Sequence, residues 1–159
     1  MLATWIRGKK VADHGKTLVT SVPVTPINNF DREPIAVSDI TLEPPANSRI
    51  IVPHAGQLIT SEEHGSVHDS RVHKIVVVNR YSNEPPAVAF IKGFDLQRGA
   101  LASSVAHDSH NIVAVGCSDA EIVGAVNDVI AHRGGLSACH DHSCEVLPLP
   151  VAGLMSDAP

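Results

Sequence analysis

Apolar residues run without a break from Ile75 through Val76 and Val77 to Val78, inside a stretch, 72–78, flanked by polar residues. Such a run is expected of a strand covered on both faces, so 72–78 reads as the central strand of a sheet. Further along, Ile122, Ala125, Val126, Val129 and Ile130 recur at the three-four spacing that places them on one stripe of a helix. Ser118 stands ahead of that stripe with Glu121 three residues later, the pattern of a capping box. Gly134 and Gly135 close the other end, because glycine takes the left-handed conformation of a helix terminus at low cost. The predicted helix is 118–133.

The remaining signals are short strands. Residues 17–24 are rich in β-branched side chains, and 49–60 reads as extended with a bend at Pro53 and Gly56. Residues 61–70 are polar and read as a loop. A strand at 87–91 follows a turn at 83–86, the segment 99–106 is small and apolar, and 112–115 is a compact strand. From Leu136 the chain is extended again and pairs with 145–147 across a turn near 141–143. Prolines 23, 26, 34, 44 and 45 interrupt every run in the first part. The pattern predicts an α+β fold with mixed or mostly antiparallel β-sheets and one main helix. No internal repeat is present, and 159 residues suit a single domain spanning 1–159.

Charge narrows the functional classes. A formal net charge of -5 gives no general attraction for a phosphate backbone or an anionic membrane, so nucleic acid and membrane are not expected partners. No apolar run approaches the ~18–20 residues of a membrane span, and Arg7, Lys9 and Lys10 beside Trp5 and Ile6 leave no secretion core. A cytoplasmic location is expected. Cys117, Cys139 and Cys144 form an odd set with no repeated spacing, which predicts reduced thiols rather than a disulfide framework.

Three stretches carry a family resemblance: Gly93-Phe94-Asp95-Leu96-Gln97-Arg98-Gly99-Ala100, Ala102-Ser103-Ser104-Val105-Ala106-His107-Asp108-Ser109-His110-Asn111, and Leu147-Pro148-Leu149-Pro150-Val151-Ala152-Gly153-Leu154-Met155-Ser156-Asp157. In order and interval they resemble the carboxy-terminal domain of bacterial-type adenine deaminase, in the amidohydrolase superfamily. Residues 51–63 and 74–78 resemble it too, whereas 1–48 match only loosely. The resemblance implies a parent hydrolase that converts adenine and water to hypoxanthine and ammonia in purine salvage. It also implies divalent metal, manganese or iron, held in a (β/α)₈ barrel, and a homo-oligomeric parent. A barrel needs ~200 residues or more, so none fits in this chain, and both ends read as cut relative to the family. No cofactor is expected here, the chain alone is expected to be inactive, and the barrel becomes its expected partner, in cis or in trans.

The resemblance makes His107, Asp108, His110 and Asn111 candidates for a substrate-proximal or interface loop. Their imidazoles, carboxylate and amide can donate and accept within one turn. A second reading stands beside it: Asp108 and Asn111 cap the turn while the histidines pack. No catalytic residue is assignable, and the zinc signature of cytidine-deaminase-type enzymes is missing.

Extended geometry would put His140, His142 and Cys144 on one side, and two imidazoles with a thiolate are zinc donors. The family resembled here carries a short acidic-glycine turn at this hairpin tip, so the cluster is taken as a surface departure with metal as the alternative. His64, His68 and His73 are read as solvated loop histidines. Asn79 and Arg80 stand where related proteins tend to have an acidic residue. The leading expectation is an accessory domain of an adenine-deaminating hydrolase. The alternatives are a stand-alone small-molecule or metal-binding module and a purely structural assembly domain.

Overall fold

The computed structural model of the chain describes residues 2–20, 22, 25–141 and 143–157. Its element order is β1 (Ala3–Ile6), β2 (Lys9–Asp13), β3 (Lys16–Thr17), β4 (Ser48–Pro53), β5 (Thr60–Gly65), β6 (Val72–Val78), β7 (Ala87–Lys92), β8 (Ala100–Ser103), β9 (Ile112–Gly116), α1 (Asp119–Ala131), β10 (Gly135–His140) and β11 (Ser143–Pro148), with one 3₁₀ turn at Val37–Asp39. The class is the expected α+β, without a barrel. β1 to β3 form a small meander of their own. The other strands make an eight-stranded sheet in the order β11-β10-β8-β9-β6-β7-β4-β5, antiparallel except where β4 runs parallel to β7. The expected strand at 17–24 shrinks to the end of β3, with Ser21, Pro23 and Val24 outside the described residues.

β6 lies between β9 and β7, as a central strand should, but its two faces differ. Val76 and Val78 are fully buried beneath α1, with Ala100, Ala102, Ile112 and Ala114 beside them. Ile75 and Val77 on the opposite face are only half-buried, so the expectation of cover on both faces fails. That open face continues through Val113 and Ser103 to Leu101 and Leu136, which are 45% and 43% exposed. The chain covers one side of this sheet with its helix and leaves an apolar groove, flanked by Phe94, on the other.

α1 buries Ile122, Ala125, Val126, Val129 and Ile130, the stripe read from the spacing. At its start the Ser118 hydroxyl accepts from the Glu121 amide at 3.3 Å and donates to the Glu121 carboxylate at 2.7 Å. At its end Arg133 is left-handed, φ 55, and Gly134 follows with φ 125. Gly134 N–H bonds the Val129 carbonyl and Arg133 N–H the Ile130 carbonyl, the paired bonds of a Schellman motif. Gly134 is needed for another reason: a Cβ there would run into the backbone of Gly153. Segment 28–40 seals the far side of the helix, with Phe30, Ile35 and Ile40 buried. The Asn127 amide pins it by accepting from Ile35 N at 2.9 Å and donating to Ile35 O at 2.9 Å.

Two expectations in the middle of the chain are corrected. Residues 61–65, read as loop, belong to edge strand β5, which pairs with β4. An edge strand pairs on one side only and tolerates polar and charged residues such as Glu62 and Glu63, so apolar patterning does not reveal it. His73, read as a solvated loop histidine, is 4% exposed on β6, its Nε2 2.9 Å from the Leu96 carbonyl.

Candidate functional site

Two of the three family-like stretches, 102–111 and 147–157, meet at one end of the large sheet, while 93–100 leads into the opposite end of β8. Ser104, immediately after β8, is completely buried; its hydroxyl donates to the Gly153 carbonyl at 2.6 Å and accepts from Gly135 N–H at 2.9 Å. One small side chain thus ties the strand end, the start of β10 and the 151–155 turn. From there 104–111 crosses to β9, with His110 N–H closing onto the Ala106 carbonyl at 2.6 Å and His110 itself left-handed, φ 53. His107 and Asp108 are exposed at the crest of this loop, and His110 and Asn111 are half-buried at its base.

Because Ile112 pairs with Val78, Asn111 leaves the sheet beside the end of β6, where Asn79 and Arg80 follow. Arg80 is 4% exposed. Its Nη1 donates to the Ala152 carbonyl at 2.8 Å, its Nη2 donates to the Tyr81 hydroxyl at 2.9 Å, and its guanidinium lies over the Tyr81 and Phe30 rings. Among the described residues no carboxylate pairs with it. Asn28 completes this end, donating to the Arg133 carbonyl at 2.7 Å and the Pro150 carbonyl at 3.2 Å.

The polar accounting of this region is incomplete within the chain. Asn28 Oδ1, Arg32 Nε, Arg80 Nε, Ser82 Oγ, His110 Nδ1 and Asn111 Oδ1 are all buried without a hydrogen-bond partner. Buried polar atoms in folded proteins are paired in the great majority of cases, and most of those that this chain leaves unpaired lie at this one end. The sequence reading found His107, Asp108, His110 and Asn111, and the structure brings His110 and Asn111 into this cluster. It missed Asn28, Arg32 and Ser82. Their only signal was distance in sequence, and Arg80 had shown itself merely as a departure from its relatives.

The alternative metal set does not assemble. In the β10–β11 ladder His140 pairs with Ser143 and Cys144 pairs with Cys139. Cys144 therefore shares a sheet face with Cys139 rather than with His140. Its sulfur is bonded to that of Cys139, which corrects the expectation of reduced thiols and removes Cys144 as a thiolate donor. His140 instead lies between two carboxylates, with Nδ1 3.1 Å from Glu121 and Nε2 3.1 Å from Asp141. His142 lies outside the described residues. The Glu121 carboxyl is held below its ordinary value chiefly by the Ser118 hydroxyl and further by His140, with burial opposing.

The fold and this polar end define an α+β domain with one sheet face covered by its helix, one open apolar face and a polar cluster at the strand ends. A family model described as the adenine deaminase C-terminal domain matches residues 52–159. The chain is 49% identical over 160 residues to the adenine deaminase of Sulfurovum sp. (strain NBC37-1), covering 99% of this chain and 30% of that protein. It is 46% identical over 170 residues to the adenine deaminase of Salinibacter ruber, covering 98% and 31%. The adenine deaminase of Methanosarcina mazei matches at 38% over 179 residues, covering 98% and 32%. The chain belongs to the adenine deaminase C-terminal domain family. These relatives also align across the first 48 residues, which the resemblance had matched only loosely, while the chain spans about a third of their length.

Proposed function

We propose that this chain acts as the accessory domain of an adenine-deaminating hydrolase, presenting the sheet end around His110 and Asn111 to a separate catalytic domain. The observation that supports the reading is the set of buried, unpartnered polar atoms at that end, His110 Nδ1 and Asn111 Oδ1 foremost. In a buried setting an unpaired polar group costs about 1–3 kcal/mol, a cost removed when a facing group supplies the bond. The exposed crest, His107 and Asp108, would then lie nearest the substrate pocket or the domain interface.

The residues present do not fit the divalent metal of the parent reaction. Among the described residues the donor groups that converge are Asp128 with the bonded cysteines, and Glu121, His140 and Asp141. The first lacks free thiolates, and the second already satisfies its members internally. No hydrolytic step is routed through this chain. Water activation, with manganese or iron, belongs to the catalytic domain, and adenine is the substrate of the whole enzyme.

The test mixes the chain, a barrel-only polypeptide of the same enzyme, adenine and manganese, and measures ammonia. The chain alone gives none, and adding it to the barrel raises turnover. Robust turnover by the chain alone, or a barrel indifferent to it, overturns the reading. In the complete enzyme His110→Ala and Asn111→Ala separate the two roles of the loop: a substrate role lowers kcat/KM, whereas an interface role alters assembly at unchanged intrinsic rate.

A further inference from the structure

The Cys139–Cys144 bond lies between the β10–β11 hairpin and α1, and the proposed function makes no use of it. The two residues face each other in the ladder with Cα atoms 4.1 Å apart and a sequence separation of only 5. A link there closes a short loop, so it removes less chain entropy from the unfolded state than a link between distant segments would.

The sulfurs nonetheless have a built seat. Gly124, in the middle of α1, stands directly over them: a Cβ there would be 3.4 Å from each Sγ. Glycine inside a helix costs about 1 kcal/mol relative to alanine, and the room it leaves is where the sulfurs sit. That room opens to solvent as a cleft lined by Ser118, Ala120, Glu121 and Gly124 with the two cysteines. Cys139 is 4% exposed and Cys144 only half-buried, so a reagent entering the cleft meets Cys144 first.

We propose that Cys139 and Cys144 are a reversible dithiol–disulfide couple, a modification site that small thiols and dithiols reach through the cleft beneath α1. In the forward step the thiolate of a dithiol reductant attacks Cys144 Sγ, the protein S–S bond breaks, and Cys139 leaves as a thiolate that takes up a proton. The second thiol of the reductant then attacks the mixed disulfide and releases Cys144. The protein has gained two electrons and two protons, and the reductant has become a disulfide. Two free thiols need van der Waals rather than bonding separation, and Gly124 limits their movement toward α1. The hairpin tip must give instead, and with it His140, whose ring touches Glu121 in the first turn of the helix.

The experiment uses the full chain carrying Cys117→Ser, which removes the exposed third thiol. Air-oxidised, folded protein is treated with reduced glutathione or dithiothreitol without denaturant, alkylated with iodoacetamide and weighed. No alkylation is expected before reductant and two alkyl groups per chain after dithiothreitol, with return to none on treatment with oxidised glutathione. Amide exchange at 118–122 should quicken in the reduced form. Thiols that appear only when denaturant is added, or that are both alkylated before any reductant, overturn the proposal. In the same background Cys139→Ser, given oxidised glutathione, should hold glutathione on Cys144 as a mixed disulfide with release of one glutathione thiolate, and failure to do so while folded would count equally against it.

Discussion

The Ser104 hydroxyl donates to the Gly153 carbonyl at 2.6 Å across 49 residues of sequence, and the same oxygen accepts from Gly135 N–H. Removing the hydroxyl leaves both backbone groups buried and unpaired. Ser104→Ala is expected to cost about 2 kcal/mol, measured by urea denaturation. A loss within experimental error of zero would mean that the 151–155 turn is held by other contacts.

Arg80 is buried without a carboxylate among the described residues, and its planar head is held by the Ala152 carbonyl, the Tyr81 hydroxyl and two rings. Lysine keeps the charge but cannot reproduce the fork or the stacking. Arg80→Lys should therefore destabilise nearly as much as Arg80→Met, by about 2 kcal/mol. If lysine instead restores wild-type stability, charge alone is what matters there.

Two glycines with positive φ provide an internal comparison. A methyl group added at Gly8, φ 76, would meet nothing within 4 Å, whereas a methyl on Gly134, φ 125, would overlap Gly153. Gly8→Ala should cost about 1 kcal/mol from backbone conformation only. Gly134→Ala should cost about 3 kcal/mol, because conformation and overlap add. Thermal unfolding of the two variants should rank them in that order.

Acid should act through Glu121. Its folded carboxyl lies below the ordinary value of 4.5, first because the Ser118 hydroxyl donates to it and then because His140 does. A carboxyl depressed in the folded state contributes stability that is present above its unfolded pKa and lost as pH falls through the folded value. Between pH 7 and pH 3 the wild-type chain should therefore lose more stability than Glu121→Gln. Parallel curves for the two proteins would show that the contact carries no linkage.

The open sheet face should show itself in the isolated chain. Leu101, Leu136 and Phe94 border an exposed apolar groove, so the chain is expected to bind a hydrophobic dye. Replacing Leu101 and Leu136 together by lysine should abolish most of that signal while leaving far-ultraviolet circular dichroism unchanged. Undiminished dye binding would place the exposed apolar surface elsewhere.

Local order was legible in the sequence. The stripe of α1, its serine cap and the β10–β11 hairpin with Leu136 opposite Leu147 all follow from spacing within a few residues, because helix and hairpin periodicities are short-range. The polar island 107–111 between two apolar runs was legible as a loop. Edge strand β5 was not, since a strand paired on one side imposes no apolar alternation, and His73 was misread because its polar ring finds a carbonyl only after the chain folds.

Sequence by itself determined the α+β class, the helix with its buried face and the family to which the chain belongs. Only tertiary structure decided that Cys139 faces Cys144, that Arg80 is enclosed by Ala152, Tyr81 and Phe30, and that Ser104 joins Gly153. The reason is range: periodicity reports which side of an element is apolar, whereas sheet order and register, set by the whole packed core, choose which distant side chains meet.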